Sequence, residues 1–171
     1  MKKPLPFLKA GIAQLALVVE DLDKTVEHYW KLFGIGPWSF YTYERPLLKH
    51  MSYRGEATEY SMRLALANIG TLRIELIEMK EGQTVFRDFV AKHGYGVQHL
   101  GLLVDDMPAA IEQAKAAGYQ IIQDGGGFGL DGDGWYAYLD TEEEIGVTLE
   151  LIQRPQARVK PEKVYPAEAH A

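Results

Sequence analysis

The chain repeats one pattern of strands and helices, and this internal repeat limits the folds that it can adopt. The segment IAQLALVVEDL at 12–22 aligns with VQHLGLLVDDM at 97–107, and LRIELIE at 72–78 aligns with VTLELIQ at 147–153. The first alignment has an offset of 85 residues and the second an offset of 75. Because both ends of the unit recur in the same order, we interpret the chain as two copies of one β-α-β-β-β module.

The strands and helices of both modules are predicted from apolar periodicity and from end signals. The first helix is predicted to begin at a capping Asp21 or Asp23 and to end at Gly34. The helix of the second module has Pro108 in its first turn and Gly118 just beyond its end. The segment RPLLKHMSYRG, which follows the second predicted strand, is predicted to be a loop. The predicted strands are 12–19, 36–44, 58–70, 71–79, 97–104 and the segments YQIIQDGG, GWYAYLDT and IGVTLELIQ, and a short helix is predicted at 84–94.

We divide the chain into an N-terminal extension at 1–10, a first module with a linker helix at 11–94, a second module at 95–154 and a proline-rich tail at 155–171. The tail has no apolar periodicity, so it is predicted to be either disordered or laid over the body. The predicted fold class is α+β, in which the two βαβββ modules form a curved eight-stranded sheet around a metal-containing cavity.

Composition and charge exclude several classes of function. The net charge of −6 argues against nucleic acid or an anionic membrane as the main partner. The absence of cysteine excludes disulfides and thiolate metal sites, so that His, Asp, Glu, Gln or water must hold any metal. The apolar stretch near the N-terminus is too short to span a bilayer and lacks a signal-peptide cleavage pattern. We therefore expect a cytoplasmic protein.

One residue that could bind a metal lies on the second face of each strand that opens or closes a module. Side chains of a strand alternate between the two faces of a sheet, and the other face of the strands at 12–19, 72–77 and 147–152 is uniformly apolar. The four residues are Gln14, Glu75, His99 and Glu150. If the modules curl their second faces together, the four side chains line one cavity. Gln98 is expected to face the other way from His99, as neighbours in an extended strand do.

Taken singly, these residues have ordinary explanations. His99 fits a satisfied core residue, Gln14 a surface amide, and either glutamate a solvated carboxylate. As a symmetric set they predict a metal site, since one imidazole with oxygen ligands favours zinc, cobalt, nickel, manganese or iron(II) over calcium. Two carboxylates with two neutral ligands also neutralise a 2+ ion, which lowers the cost of burying them.

The paired modules resemble the vicinal oxygen chelate superfamily, which includes glyoxalase I, methylmalonyl-CoA epimerase, extradiol dioxygenases and antibiotic-resistance proteins. The resemblance covers about 11–153, and ANIGTLRIELIEMKEGQTVFRDFVAKHGYGVQHLGLLVDD is similar to the central stretch of methylmalonyl-CoA epimerases. It implies that His99 and Glu150 are metal ligands and that Glu75 lies on the third ligand strand. The epimerases have histidine as the first ligand, whereas Gln14 here matches the Gln/Glu/His/Glu set of some glyoxalases I.

The resemblance also implies a second catalytic carboxylate across the metal from Glu150. Counting back from the Asn-Ile-Gly turn places it at Glu59, on the same strand face as Ser61 and Arg63. Glu56 is the alternative if the register slips, and a surface glutamate is the alternative without a catalytic role.

The chemistry that these families share is removal of a proton next to a carbonyl, through an enediolate that the metal stabilises as a Lewis acid. Glu150 and Glu59 on opposite sides would give epimerisation, for example of an acyl thioester, and a hemithioacetal substrate would give the glyoxalase I-like (lactoylglutathione lyase) reaction. A dioxygenase is less favoured, because that chemistry prefers two histidines and His99 is the only one on the ligand strands.

Aromatic residues leave a non-enzymatic alternative open. Tyr41, Tyr43, Tyr136 and Tyr138 fit either a packed core or the wall of a pocket for a bulky or aromatic ligand, as in drug-sequestering proteins of the same fold. The partner is therefore expected to be a small carbonyl or thioester substrate, with no nucleic acid and no membrane. The look-alike families also imply a homodimer.

Overall fold

Both repeated modules contribute to one mixed sheet in the computed structural model, which describes residues 1–7 and 11–167. The elements, in chain order, are β1 (Gln14–Val18), α1 (Leu22–Phe33), β2 (Trp38–Tyr43), β3 (His50–Tyr53), β4 (Glu56–Ala57), β5 (Ser61–Ile69), β6 (Leu72–Glu81), α2 (Val85–His93), β7 (Gly96–Leu103), α3 (Met107–Ala116), β8 (Ile121–Phe128), β9 (Gly134–Leu139), α4 (Glu142–Ile145), β10 (Thr148–Gln153) and β11 (Lys163–Tyr165). The α+β fold class predicted from the repeat is confirmed.

The strand order follows the internal repeat. It runs β11-β2-β5-β6-β1-β7-β10-β9-β8-β3-β4, so the first module supplies β2-β5-β6-β1 and the second supplies β7-β10-β9-β8. Within each module the opening and closing strands are parallel, β1 to β6 and β7 to β10. The two modules join through the antiparallel pair β1 and β7. The four strands predicted to carry polar residues are therefore the four central strands of the sheet.

Aromatic contacts across the sheet demonstrate its strong curl. Five strands separate β2 from β9, and neighbouring strands lie ~4.8 Å apart, so a flat sheet would hold them about 29 Å apart. The rings of Tyr43 on β2 and Tyr136 on β9 nevertheless have centroids 6.3 Å apart, and Tyr43 lies 4.9 Å from Phe128 on β8. The sheet thus closes over its concave face as a half-barrel.

Three strands extend the described sheet beyond the eight that the repeat predicts. The prediction of a loop at 45–55 is wrong, because His50–Tyr53 forms β3, which pairs with the edge strand β8 of the other module and with β4. An edge strand offers a row of free N–H and C=O groups, and this long-range pairing leaves no period-2 pattern in a four-residue strand. At the opposite edge, β11 of the tail pairs with β2. The described part of the tail lies over the body, and residues 168–171 lie outside the described residues.

The helices begin and end at the residues that cap them. Asp21, rather than Asp23, caps α1 by accepting a hydrogen bond from the Lys24 amide at 2.9 Å, and Gly34 ends it with φ of 66°. Asp106 caps α3 in the same way. None of the helices in the described ranges is long and apolar enough to cross a membrane.

The predicted faces of the strands are also observed. The outer faces pack under α1 in the first module and under α3 in the second, with Leu76 and Leu151 fully buried there. The concave face of the sheet holds a cluster of aromatic side chains from both modules together with small aliphatic ones. The cluster includes Tyr41, Tyr43, Phe86, Phe128, Tyr136 and Tyr138, whereas Trp38 and Phe40 lie on the outer face.

Candidate metal centre

The register of the central strands brings the four predicted ligands together. Ala16 lies opposite His99 across the β1–β7 pair, and Gly101 lies next to both Gln14 and Glu150. The four side chains meet on the concave face, and each of the four residues is at most 8% exposed. The ligands that the resemblance implied therefore form one buried cluster, which we call the four-residue centre: Gln14, Glu75, His99 and Glu150.

Short distances connect the members of the centre. The Nε2 atom of His99 lies 3.4 Å from Oε2 of Glu75 and 3.1 Å from Oε2 of Glu150. The Gln14 amide donates hydrogen bonds to the same two oxygens at 2.9 and 3.1 Å. One ligand atom from each of Glu75, His99 and Glu150 lies within 4.8 Å of the others. These spacings leave the atoms of the centre around one common point.

A β-bulge places Gln98 beside His99, which corrects the prediction that it faces the opposite way. Leu15 and Ala16 pair with Leu100 and His99, but Leu17 pairs with Val97, so Gln98 is the extra residue. A bulge interrupts the strict alternation of side chains, and the amide of Gln98 can therefore turn to the imidazole. The Nδ1–H of His99 donates to Oε1 of Gln98 at 2.7 Å.

This hydrogen bond fixes the orientation of the imidazole. Because an amide oxygen can only accept, the ring proton of His99 lies on Nδ1 and Nε2 faces the carboxylates. Nε2 is fully buried and faces the carboxylate oxygens of Glu150 and Glu75, at 3.1 and 3.4 Å. A bare nitrogen lone pair next to two carboxylate oxygens is stabilised by a cation, which can be a metal ion or a second proton.

Electrostatics point to the same conclusion. Burial favours the neutral imidazole, but the carboxylates of Glu150 and Glu75 outweigh it and raise the pKa of His99 to about 9. Burial also raises the pKa of Glu150, and His99 partly opposes this. The edge of the Tyr138 ring packs on His99 with centroids 5.0 Å apart. Burial, followed by the nearby carboxylates and Tyr136, raises the pKa of Tyr138 well above its usual value, so its hydroxyl stays neutral.

The donor set fits a divalent ion. A buried imidazole nitrogen and two buried carboxylates suit a metal of borderline hardness, and the carboxylates neutralise its charge. A half-turn of the Gln14 side-chain amide would exchange its oxygen and nitrogen positions, so that the oxygen faces the centre as a neutral ligand. Space at the centre depends on Gly101, where a Cβ atom would lie 2.8 Å from Cβ of Gln14 and 3.2 Å from Oε2 of Glu150.

The structure does not bring Glu59 to this centre. Glu59 precedes β5, its side chain is 72% exposed, and its carboxylate accepts a hydrogen bond from Arg45 at 2.6 Å. The strand face predicted from the sequence for Glu59 is the one that carries Arg63. This face does not point to the centre, since Arg63 pairs with Asp23 of α1 on the outer side of the sheet. The count from the turn had treated 58–70 as one regular strand, whereas β5 begins at Ser61 with an irregular register.

A cavity of about 310 Å³ lies next to the centre on the concave face. Its wall includes Arg73, which is two residues before Glu75 on the same face of β6, and Leu66, which pairs with Glu75 across β5 and β6. Arg158 of the tail lines the same cavity and hydrogen-bonds the Tyr43 hydroxyl at 3.2 Å. The four residues of the centre do not form part of the wall of this cavity.

Three groups at the site were missed by sequence reasoning. Gln98 is adjacent to His99, but the bulge that turns it inward depends on pairing with β1. Gly101 could have been noticed in the sequence, although the signal is weak. A glycine within a strand, two residues after a candidate ligand, indicates that other groups approach the backbone closely there. The contribution of Arg158 depends on the path of the tail, for which the sequence has no periodic pattern.

The comparisons with known proteins agree with this fold. Residues 13–139 match the Glyoxalase/Bleomycin resistance protein/Dioxygenase superfamily, a range that ends before β10 and Glu150. No curated protein sequence matches the chain significantly.

Three similar solved structures illustrate the likeness. A hypothetical protein from Bacillus halodurans C-125 has a TM-score of 0.59 at 22% identity, covering 87% of this chain and 98% of that one. Methylmalonyl-CoA epimerase from Mycobacterium tuberculosis has a TM-score of 0.57 at 22% identity, covering 83% and 86%. A variant of the Streptomyces coelicolor epimerase in complex with 2-nitronate-propionyl-CoA has a TM-score of 0.59 at 20% identity, covering 87% and 97%. Together with the family match over residues 13–139, these observations place the chain in the Glyoxalase/Bleomycin resistance protein/Dioxygenase (vicinal oxygen chelate) superfamily.

Proposed function

We propose that the protein is a metal-dependent isomerase that moves a proton at a carbon atom next to a carbonyl group. The observation that carries this proposal is the buried Glu75–His99–Glu150 group, in which the Nε2 atom of His99 lies 3.1 Å from a carboxylate oxygen of Glu150 and 3.4 Å from one of Glu75. In the proposed holoenzyme these three residues hold a divalent ion, with Oε1 of Gln14 as a fourth ligand. When bound, such an ion supplies Lewis-acid polarisation of a carbonyl oxygen.

Glu150 is proposed as the group that accepts and returns the proton. Its carboxylate is 3% exposed, and burial raises its pKa from the ordinary value of 4.5. A carboxylate exchanges protons with carbon acids more effectively as its pKa approaches the working pH. Tyr138 and His99 pack around it and exclude water, which keeps the proton available for return.

Glu75 takes the place of Glu59 as the second carboxylate of the proposal. It lies on the other side of the Gln14 amide, and its ligand atom is within 4.8 Å of that of Glu150. Two carboxylates around one reacting carbon allow a proton to leave from one position and to return at another. The exposed Glu59 pairs with Arg45, so the particular two-base epimerase arrangement drawn from the sequence is not part of this proposal.

An acyl thioester is the first substrate class to test, because the fold resembles that of methylmalonyl-CoA epimerases. A hemithioacetal is the second, because Gln14 stands where the epimerases have histidine. When the Zn²⁺-loaded protein is incubated with substrates of both classes in heavy water, the proton next to the carbonyl should exchange with deuterium. Proton NMR measures this exchange. No exchange across either class, in protein that holds stoichiometric metal, would contradict the proposal.

A ligand-binding protein without catalysis is the second candidate. The observation that favours it is the set of aromatic rings from both modules on the concave face around the four-residue centre, since such rings suit a bulky apolar ligand. The two candidates separate in the same experiment, because a binding protein would retain metal and ligand without any exchange.

A further inference from the structure

Three arginines converge beside the four-residue centre. Arg73 comes from β6, whereas Arg154 and Arg158 come from the segment after β10. Arg73 and Arg158 line the same cavity, whereas Arg154 is an exposed residue four positions before Arg158 and does not line it. Burial, followed by repulsion from Arg158, lowers the pKa of Arg154. The chain as a whole carries a net charge of −6, so this concentration of positive charge is a local feature. We call Arg73, Arg154 and Arg158 the arginine cluster.

The tail is anchored in a way that holds two of these arginines in place. The backbone N–H of Leu130 donates to the carbonyl of Ala157 at 2.8 Å, and the backbone N–H of Gln156 donates to the Asp133 carboxylate at 3.0 Å. Farther along, β11 pairs with β2. The segment therefore crosses from the second module to the first, and its middle part positions Arg158 over the Tyr41 ring at 5.7 Å.

Three of the other four arginines have a carboxylate partner, which the arginine cluster lacks among the described residues, and the fourth, Arg87, donates to the backbone carbonyls of Gly82 and Lys80. Arg45, Arg54 and Arg63 each reach a carboxylate oxygen within 4 Å. Within residues 1–7 and 11–167, no such ion pair involves the cluster, and Nη1 of Arg73 is buried without a hydrogen-bond partner. A buried guanidinium nitrogen without an acceptor is costly, and a bound anion would supply that acceptor.

The cavity next to these side chains has room for a ligand group. It has a volume of about 310 Å³, and Arg73 and Arg158 both line it. Arg73 and Glu75 are two residues apart on one strand face, which separates their Cα atoms by about 7 Å. A ligand with an anionic group in the cavity would therefore place atoms a few bonds away at the four-residue centre.

We propose that the arginine cluster is an anion subsite that binds a carboxylate or phosphate group of the substrate while the carbonyl of the same molecule reaches the four-residue centre. This inference deepens the proposed function and rests on it, since it assigns a charge to the substrate. The guanidinium fork matches both carboxylate and phosphate oxygens, so the two sources of the anion are separated by experiment.

The test uses calorimetric titration of malonate and of inorganic phosphate into metal-free protein at low salt. At least one of the two is expected to bind. Its affinity should fall about tenfold or more in Arg158→Gln, which removes a guanidinium from the cavity wall, and less in Arg154→Gln, which removes only a nearby exposed charge. Arg45→Gln, which removes an exposed arginine elsewhere, should bind as the wild type does. Thermal melting of each variant checks that it is folded.

Each outcome has a defined meaning. Binding of malonate alone assigns the subsite to a carboxylate, binding of phosphate alone assigns it to a phosphate, and both results support the inference. Binding of neither anion, or equal weakening in Arg158→Gln and Arg45→Gln, would overturn it. Because the protein in this titration holds no metal, the result is independent of whether the four-residue centre binds one, and a separate metal titration tests the proposed function.

Discussion

Binding of Zn²⁺ to the metal-free protein should displace a proton from His99. Without a metal, the two carboxylates around Nε2 raise the pKa of this imidazole to about 9 against the opposing effect of burial. A metal ion needs the unprotonated nitrogen, so the second proton of the imidazolium must leave when the metal binds.

The pKa sets the number of protons released. At pH 7, an imidazole with a pKa of about 9 is ~99% protonated, so that metal binding releases about one proton from it. An imidazole with the ordinary pKa of 6.5 would be about one quarter protonated and would release about 0.25 proton. Any proton that Glu150 holds adds to the first figure, because its pKa is raised as well. The apparent affinity should also rise about tenfold per pH unit from pH 7 towards pH 9.

The assay is calorimetric titration of Zn²⁺ at pH 7 in several buffers that differ in ionisation enthalpy. The slope of the observed enthalpy against buffer enthalpy gives the proton number. His28→Gln, which alters an exposed histidine on α1, should leave this number unchanged, and His99→Gln should abolish tight binding. A release of about one quarter of a proton or less by the wild type would refute the reasoning on the coupled centre.

Three further predictions follow from the same geometry. Metal-free protein should lose up to about 3 kcal/mol of unfolding free energy between pH 6.5 and pH 9. The reason is that the pKa of His99 is higher in the folded than in the unfolded protein, so its stabilising contribution is complete only below pH 6.5. Urea unfolding measures this loss, and the same decline in a His99→Gln variant would contradict the prediction. Gln98→Leu removes the acceptor for the Nδ1–H of His99 and should weaken Zn²⁺ binding about 10–100-fold, whereas Gln98→Glu keeps an acceptor and should restore binding. Equal affinities of the two variants for Zn²⁺ would rule out a role of Gln98 in positioning His99. Glu150→Gln should slow proton exchange of the substrate at least ~100-fold, as measured by NMR in heavy water, while Glu59→Gln leaves it unchanged. The reverse result would restore Glu59 as the catalytic carboxylate that the sequence predicts.

The internal repeat was sufficient to predict the centre of the fold. The offsets of 85 and 75 residues correctly pair the opening and closing strands, and alternation along them places the polar residues on one face. These are local properties of regular strands, for which period-2 alternation holds. The capping residues Asp21 and Gly34 were equally visible, because capping depends on the few residues at the end of a helix.

Features that depend on long-range pairing were not predictable in the same way. The bulge at Gln98 arises from the pairing of β7 with β1, and it turns a residue that strict alternation assigns to the other face. Glu59 was misplaced because a count along one strand does not survive an irregular start of that strand. The hairpin containing β3 and the tail strand β11 pair with strands of the other module or with distant strands, so their own sequences hold little signal. The expected homodimer and cytoplasmic location stay predictions.

A crystal structure of Zn²⁺-loaded protein, with anomalous scattering measured at the zinc edge, tests the central claim most directly. The account predicts one strong anomalous peak about 2.0–2.2 Å from Nε2 of His99 and from carboxylate oxygens of Glu75 and Glu150, with the Gln14 amide oxygen turned towards it. A stoichiometric peak at another place in the molecule, or an empty centre in which Gln14 still donates to both carboxylates, would contradict it.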